Sequence, residues 1–285
     1  MSVGRLPRQC EFPGCPPRKH FWRVWREAPH GLFLDGHWYC SPECFKQALV
    51  SALGPLLTVT PPAPVAPNRV PLGLLMLDRG FVDREQLRRA LQAQKDSGTG
   101  RVGEWLRHMG AATEDQVTQV LGLQWSMPVF PLRQTRRYLE CAHLIPLVLL
   151  EAVEMVPVHY LETSQQLFIA FVDRVNYTAL YAVEKVLECH TEPCLAPQSL
   201  IQQALKELRG QALPGEIVVE VGPEPPRIAD TTWTYASKLA AEGVRVSGFA
   251  GFVWVRIVSA SGPNDLLFRI HYNQTDSPPR LSDDE

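Results

Sequence analysis

Four cysteines, Cys10, Cys15, Cys40 and Cys44, fall early in a 285-residue chain that has seven in all. They form two close pairs, C-x4-C and C-x3-C, separated by 24 residues. An odd total, and an N-terminus (MSVGRLPRQC) without the apolar stretch of a leader, argue against a disulfide framework. Paired thiols across a longer loop have the spacing of a structural zinc site. Four soft thiolates close a tetrahedron around Zn²⁺ and leave no open position for catalysis. His20, His30 and His37 are substitute ligands if one cysteine is unused. Without metal, the same residues read as four reduced thiols in a small apolar cluster. Cys141, Cys189 and Cys194 lack an obvious fourth ligand and read as buried thiols.

The elements that would position the four thiols are legible around them. Phe12-Pro13-Gly14 fits a tight knuckle between the first pair. Gly31–Tyr39 reads as a hairpin turning at Asp35-Gly36. Ser41 is placed to cap a helix that starts at Pro42 and runs to about Leu53, with Cys44 in its first turn. Knuckle, hairpin, knuckle and helix together resemble a treble-clef zinc finger. A segment this small cannot hold a core unaided, so metal would supply much of its stability. Phe21, Trp22 and Trp25 stand among Arg18, Lys19, Arg23 and Arg26, which suits either base stacking or packing on the finger.

A second pattern follows the proline-rich stretch Thr58–Pro67 (TVTPPAPVAP), a semi-rigid spacer. Leu72-Gly73 aligns with Val102-Gly103, Gly80 with Gly110, Leu87 with Val117, Leu91 with Leu121 and Gln94 with Gln124, always at an offset of 30 residues. Each copy reads as a short helix, a glycine break and a second helix. Asp83-x-x-Gln86 and Thr113-x-x-Gln116 are matching capping boxes for the second helices. Gly80 and Gly110 sit where the first helices must end. Gly73 and Gly103 lie inside helices, where glycine costs about 1 kcal/mol relative to alanine. Their repetition points to close approach of a backbone or a ligand.

The order Arg-Leu-Gly, six residues, Gly, six residues, Leu, three residues, Leu, two residues, Gln, in tandem, resembles the N-terminal domain of type II secretion and type IV pilus assembly ATPases. One branch of that family binds cyclic di-GMP through the two motifs. The resemblance implies a ligand set of Leu72, Gly73, Gly80, Leu87, Leu91 and Gln94 from the first copy. From the second it implies Arg101, Val102, Gly103, Gly110, Val117, Leu121 and Gln124. The leading arginine is present as Arg101 but is Pro71 in the first copy, and proline offers no guanidinium fork. Arg69 is close but out of register.

The resemblance extends over about residues 70–210. Met155–Tyr160 and Gln166–Val172 read as strands, Asn176–Leu187 as a helix, Thr191–Leu195 as a strand and Pro197–Leu208 as a helix. Asp173, after the second strand, reads as a helix cap. A further helix, Ala229–Glu242, precedes strands at Val244–Ser247, Phe252–Ser259 and Asp265–His271. The expected class is α+β multidomain: a treble-clef-like finger (1–57), a linker (58–68), a tandem helix-loop-helix repeat (69–137) and a small α/β subdomain (138–210). A second linker (211–226), a small C-terminal α/β domain (227–272) and a disordered acidic tail (273–285) complete it.

Charge divides the chain unevenly. Residues 1–68 carry 7 basic and 4 acidic groups and 69–137 carry 11 and 7, whereas the whole chain is at −2. A basic first half suits an anionic ligand. No apolar run nears the roughly 20 residues that span a bilayer, and the expected location is cytoplasmic. The sequence has no G-x-x-x-x-G-K-[ST], H-E-x-x-H or G-x-S-x-G. The reading is therefore a non-catalytic regulatory or adaptor protein with structural Zn²⁺, sensing cyclic di-GMP and docking on a secretion or pilus assembly protein. The alternatives are an interaction scaffold without a nucleotide and, behind it, a zinc-dependent nucleic-acid binder.

Overall fold

The computed structural model describes residues 9–15, 31–58, 69–133, 136–210 and 216–271, and the chain forms two units. Phe21, Trp22, Trp25 and their basic neighbours, His20, His30, most of the proline spacer and the acidic tail lie outside the described residues.

The first unit joins the two ends of the chain. Strands β1 (Leu32–Leu34) and β2 (His37–Tyr39) form the expected hairpin, with Asp35 and Gly36 both at positive φ (48° and 85°). Helix α1 (Pro42–Thr58) follows; the Ser41 hydroxyl accepts from the Cys44 N–H at 3.3 Å. α1 runs past Pro55 to Thr58 rather than ending near Leu53. Phe45, Leu49, Leu53 and Leu57 recur every fourth residue on its buried face. Burying Leu57 offsets the one backbone donor that proline removes.

The chain returns to this unit as β6 (Glu216–Val221), α10 (Pro225–Lys238), β7 (Gly243–Phe249), β8 (Phe252–Ser259) and β9 (Gly262–Ile270). The sheet order is β2-β1-β7-β8-β9-β6. β1 pairs with β7 and β6 with β9 in parallel, and the remaining pairs are antiparallel. α1 and α10 cover one face, where Phe45, Leu49, Leu53 and Ile228 pack with Val244, Val255 and Phe268.

Two boundaries read from the sequence need correction. The finger (1–57) and the C-terminal domain (227–272) are not separate bodies. A hairpin with three-residue strands is too short to stand alone, and β1 gains a partner in β7. Nor is 211–226 wholly a linker: Ile217, Val218, Val219 and Val221 make a β-branched strand between flanking prolines. Pro225, read as part of that linker, opens α10, where its missing N–H costs nothing.

The second unit lies between these segments. Helices α2 (Leu72–Asp78), α3 (Arg84–Ser97), α4 (Val102–His108) and α5 (Glu114–Trp125) are the tandem repeat. Both capping boxes form as the sequence predicts, and Gly80 and Gly110 take φ of 67° and 66° where the first helices end. Met76, Ala90, Leu106 and Val120 are fully buried at the centre of the four helices. Short helices α6 (Tyr138–Cys141) and α7 (Leu147–Val153) lead to β3 (Met155–Leu161), β4 (Gln166–Phe171), α8 (Tyr177–Leu187), β5 (His190–Leu195) and α9 (Gln198–Arg209). β4 pairs antiparallel with β3 and parallel with β5 across the α8 crossover. Asn176 accepts from the Ala179 N–H and caps α8. Asp173 is therefore not the cap that the sequence reading made it.

Candidate functional site

The first unit brings the four early thiols together. The Sγ atoms of Cys10, Cys15, Cys40 and Cys44 lie within 4.8 Å of one another, and Cys15 and Cys40 are 3.7 Å apart. A tetrahedron with Zn–S bonds near 2.3 Å has edges of about 3.8 Å. The knuckle closes through Cys15 N–H donating to Phe12 O at 3.0 Å, and the Glu11 N–H donates to Trp38 O at 3.0 Å, laying this arm along β2. Burial and hydrogen bonds to Cys40, Cys10 and Cys44 push the Cys15 thiol up to about 12. Thiolates this close repel one another, and a bound dication would offset that repulsion. His37, the described substitute ligand, pairs instead with Glu11 at 2.5 Å. Cys141, Cys189 and Cys194 are buried, and burial raises each thiol, to about 11, about 11 and about 12.

In the second unit the motif residues have two different jobs. Some build the scaffold. A Cβ on Gly73 would lie 2.7 Å from Leu87 Cδ1, and one on Gly103 would lie 3.0 Å from Val117 Cγ1 and 3.1 Å from Leu72 Cδ2. The helical glycines thus make room for the apolar residue fourteen positions on in the same copy, a side chain and not the backbone or ligand that the sequence suggested. Gln94 Nε2 donates to Gly100 O at 2.9 Å and Gln124 Nε2 donates to Val70 O at 2.7 Å. Each glutamine therefore holds the carbonyl just before the first position of the other copy.

Several of these scaffold residues, with further motif residues, also line a cleft of about 300 Å³. Leu72 and Gln94 reach it from the first copy, and Arg101, Val102, Gly103, Val117, Leu121 and Gln124 from the second. Gly73, Gly80, Leu87, Leu91 and Gly110 are not among its walls. Leu87 is buried against Gly73, Gly80 and Gly110 serve turns, and Leu91 is 49% exposed.

The rest of the wall comes from residues that motif reading missed. Val172, Asp173 and Arg174, just after β4, and Gln198 at the start of α9 face the second copy. Asp173 forms an ion pair with Arg101. Burial and the neighbouring Arg174 hold the Arg101 guanidinium below its ordinary value. Arg107 pairs with Glu114 at 3.3 Å, and Glu114 also accepts from the Ser199 N–H at 3.0 Å, so it caps α9 in place of Pro197, which has no capping group. The Arg69 guanidinium lies 3.5 Å from the centre of the Trp125 ring, and Trp125 is part of the wall. Asp173 and Arg174 carried one signal in sequence, a charged pair where a strand meets a turn. Glu114 carried none, because its partner is 85 residues away.

Among the described residues no helix is long and apolar enough to cross a membrane. Residues 125–215 match the MshEN domain. The chain is 27% identical over 153 residues to the type IV pilus assembly ATPase PilB of Myxococcus xanthus, covering 53% of this chain and 26% of that protein. It is 25% identical over 134 residues to the PilB of Thermus thermophilus, covering 47% of this chain and 15% of that one. The chain thus spans about a quarter or less of these relatives' length. Among solved structures, MshE with cyclic di-GMP aligns at 27% identity with a TM-score of 0.42, over 49% of this chain and 99% of that one. The N-terminal domain of XpsE aligns at 17% identity with a TM-score of 0.35, over 47% of this chain and 91% of that one. Residues 125–215 thus match the MshEN domain, and over about half its length the chain is similar to type IV pilus assembly ATPases.

Proposed function

We propose that this chain is a non-catalytic, cytoplasmic regulatory or adaptor protein of a secretion or pilus assembly system. It senses cyclic di-GMP in the cleft between the second motif and the β4–α8 turn. The observation that carries this reading is Arg101, the motif arginine, lining that cleft with Asp173 beside it. A guanidinium has five N–H donors in a planar fork. Asp173 engages part of the fork, and the remaining donors suit the O6 and N7 acceptors of guanine, a bidentate pairing. Leu72, Val102, Val117 and Leu121 supply an apolar floor for the base. Ligand binding then alters how this unit docks on its protein partner.

Cys10, Cys15, Cys40 and Cys44 hold a structural Zn²⁺ in the same reading. The metal supplies cohesion, and no reaction is assigned to it. Metal analysis of the purified protein should give about one zinc per chain, and chelation should melt the first unit, where the thiols fasten the Cys10–Cys15 arm to the hairpin.

The deciding experiment is calorimetric titration with cyclic di-GMP of the wild type beside Arg101→Ala. Saturable binding at micromolar concentration, lost in the variant, supports the receptor. A folded wild-type protein that takes up no ligand overturns it and leaves an interaction scaffold.

A further inference from the structure

We propose that Arg174, a residue outside both motifs, is the phosphate anchor of the cleft. This rests on the cyclic dinucleotide reading above and extends it to the ligand's charged backbone.

The argument is an account of charge within one cleft. Three arginines and three carboxylates line it. Arg101 is held by Asp173, and Arg107 by Glu114. The third carboxylate, Glu104, accepts from the Arg101 backbone N–H at 3.1 Å and so serves the start of α4. Every acid is committed, and two of the three arginines are matched. Arg174 alone has neither an ion pair nor a hydrogen bond among the described residues.

Its position suits the task. Arg174 is exposed while its neighbour Asp173 is partly buried against Arg101, so it is a solvent-accessible part of the cleft wall. Arg101 and Arg174 line the same cleft closely enough to repel one another. An anion arriving between them relieves that repulsion. A phosphodiester bears one negative charge and two acceptor oxygens, the match for a guanidinium fork. The first copy has proline in place of its arginine, and Arg174 restores the second cation from the opposite wall. The division of labour is then Arg101 for the base edge and Arg174 for the phosphate.

The test is calorimetry with cyclic di-GMP on the full chain at two salt concentrations. It compares wild type, Arg174→Ala, Arg174→Lys and Arg227→Ala, the last removing a charge from α10 in the other unit. A charge-assisted hydrogen bond predicts at least about tenfold weaker binding for Arg174→Ala. The loss should be smaller for Arg174→Lys, which keeps the charge but not the fork, and absent for Arg227→Ala. The salt dependence of binding should also be shallower in Arg174→Ala, since one phosphate contact is gone. Wild-type binding with an unchanged Arg174→Ala overturns this inference and leaves the receptor standing. Equal losses in Arg174→Ala and Arg227→Ala also overturn it, since the effect is then net charge. No binding by wild type overturns both.

Discussion

The two copies of the motif share a scaffold and differ in the face they present. Both have a glycine packed under the apolar residue fourteen positions later, both have a capping box, and both end in a glutamine that clasps the other copy. Yet only the second copy is walled by Val172–Arg174 and Gln198, and only it keeps a leading arginine. In the first copy Leu74 and Leu91 are 54% and 49% exposed and Pro71 opens the helix. Duplication preserves what each copy needs from the other in order to fold. It leaves the cleft-facing positions free to diverge. Motif identity therefore reports the scaffold more faithfully than the site.

Four pairs of substitutions sharpen that contrast. Arg101→Ala should have the largest effect, costing about 1.5–3 kcal/mol of ligand affinity by calorimetry, as for other hydrogen bonds to charged groups. Pro71→Arg, the converse change, should strengthen binding if the first copy retains a usable face. No gain would show that the face has lost more than its arginine.

The glycines should respond unequally. Gly103→Ala meets Val117, whose β-branched side chain in a helix has one favoured rotamer. Overpacking of this kind costs about 1–3 kcal/mol. Gly73→Ala meets the terminal methyl of Leu87, which can turn aside. The roughly 1 kcal/mol gained from replacing a helical glycine then largely cancels the strain. Chemical denaturation that ranks Gly73→Ala as the more damaging would refute the packing argument.

Asp83→Ala and Thr113→Ala should each cost about 1 kcal/mol, as capping residues do. Their near equality is the point, since the boxes are the most symmetric part of the repeat. Gln124→Ala should cost about 0.5–1.5 kcal/mol and exceed Gln94→Ala. Gln124 closes a contact 54 residues apart in sequence, whereas Gln94 reaches only six residues on. Amide exchange at Leu72–Leu75 would register the first loss specifically.

Legibility followed the range of the interaction. The capping boxes, the Asp35-Gly36 turn and the thiol spacing depend on residues a few positions apart, and each was readable, whereas the α8 cap was read as Asp173 and is Asn176. The Arg101–Asp173 pair, the Glu114 cap on α9 and the β1–β7 pairing join residues that no periodicity relates. β6 was missed for a different reason: a short β-branched strand between prolines looks like a linker until β9 supplies its neighbour. In the site, the half given by the repeat was visible and the opposite wall was not.

The parallel pairing of Phe33 with Gly243 also sets a timetable. The ribosome must add roughly two hundred residues between them. At about 5–20 residues per second that takes about 10–40 s. The motif-bearing unit can complete itself during this interval, while β1 waits with one edge unsatisfied. β1 is thus made well before the strand that pairs with it, and its edge stays open through that interval.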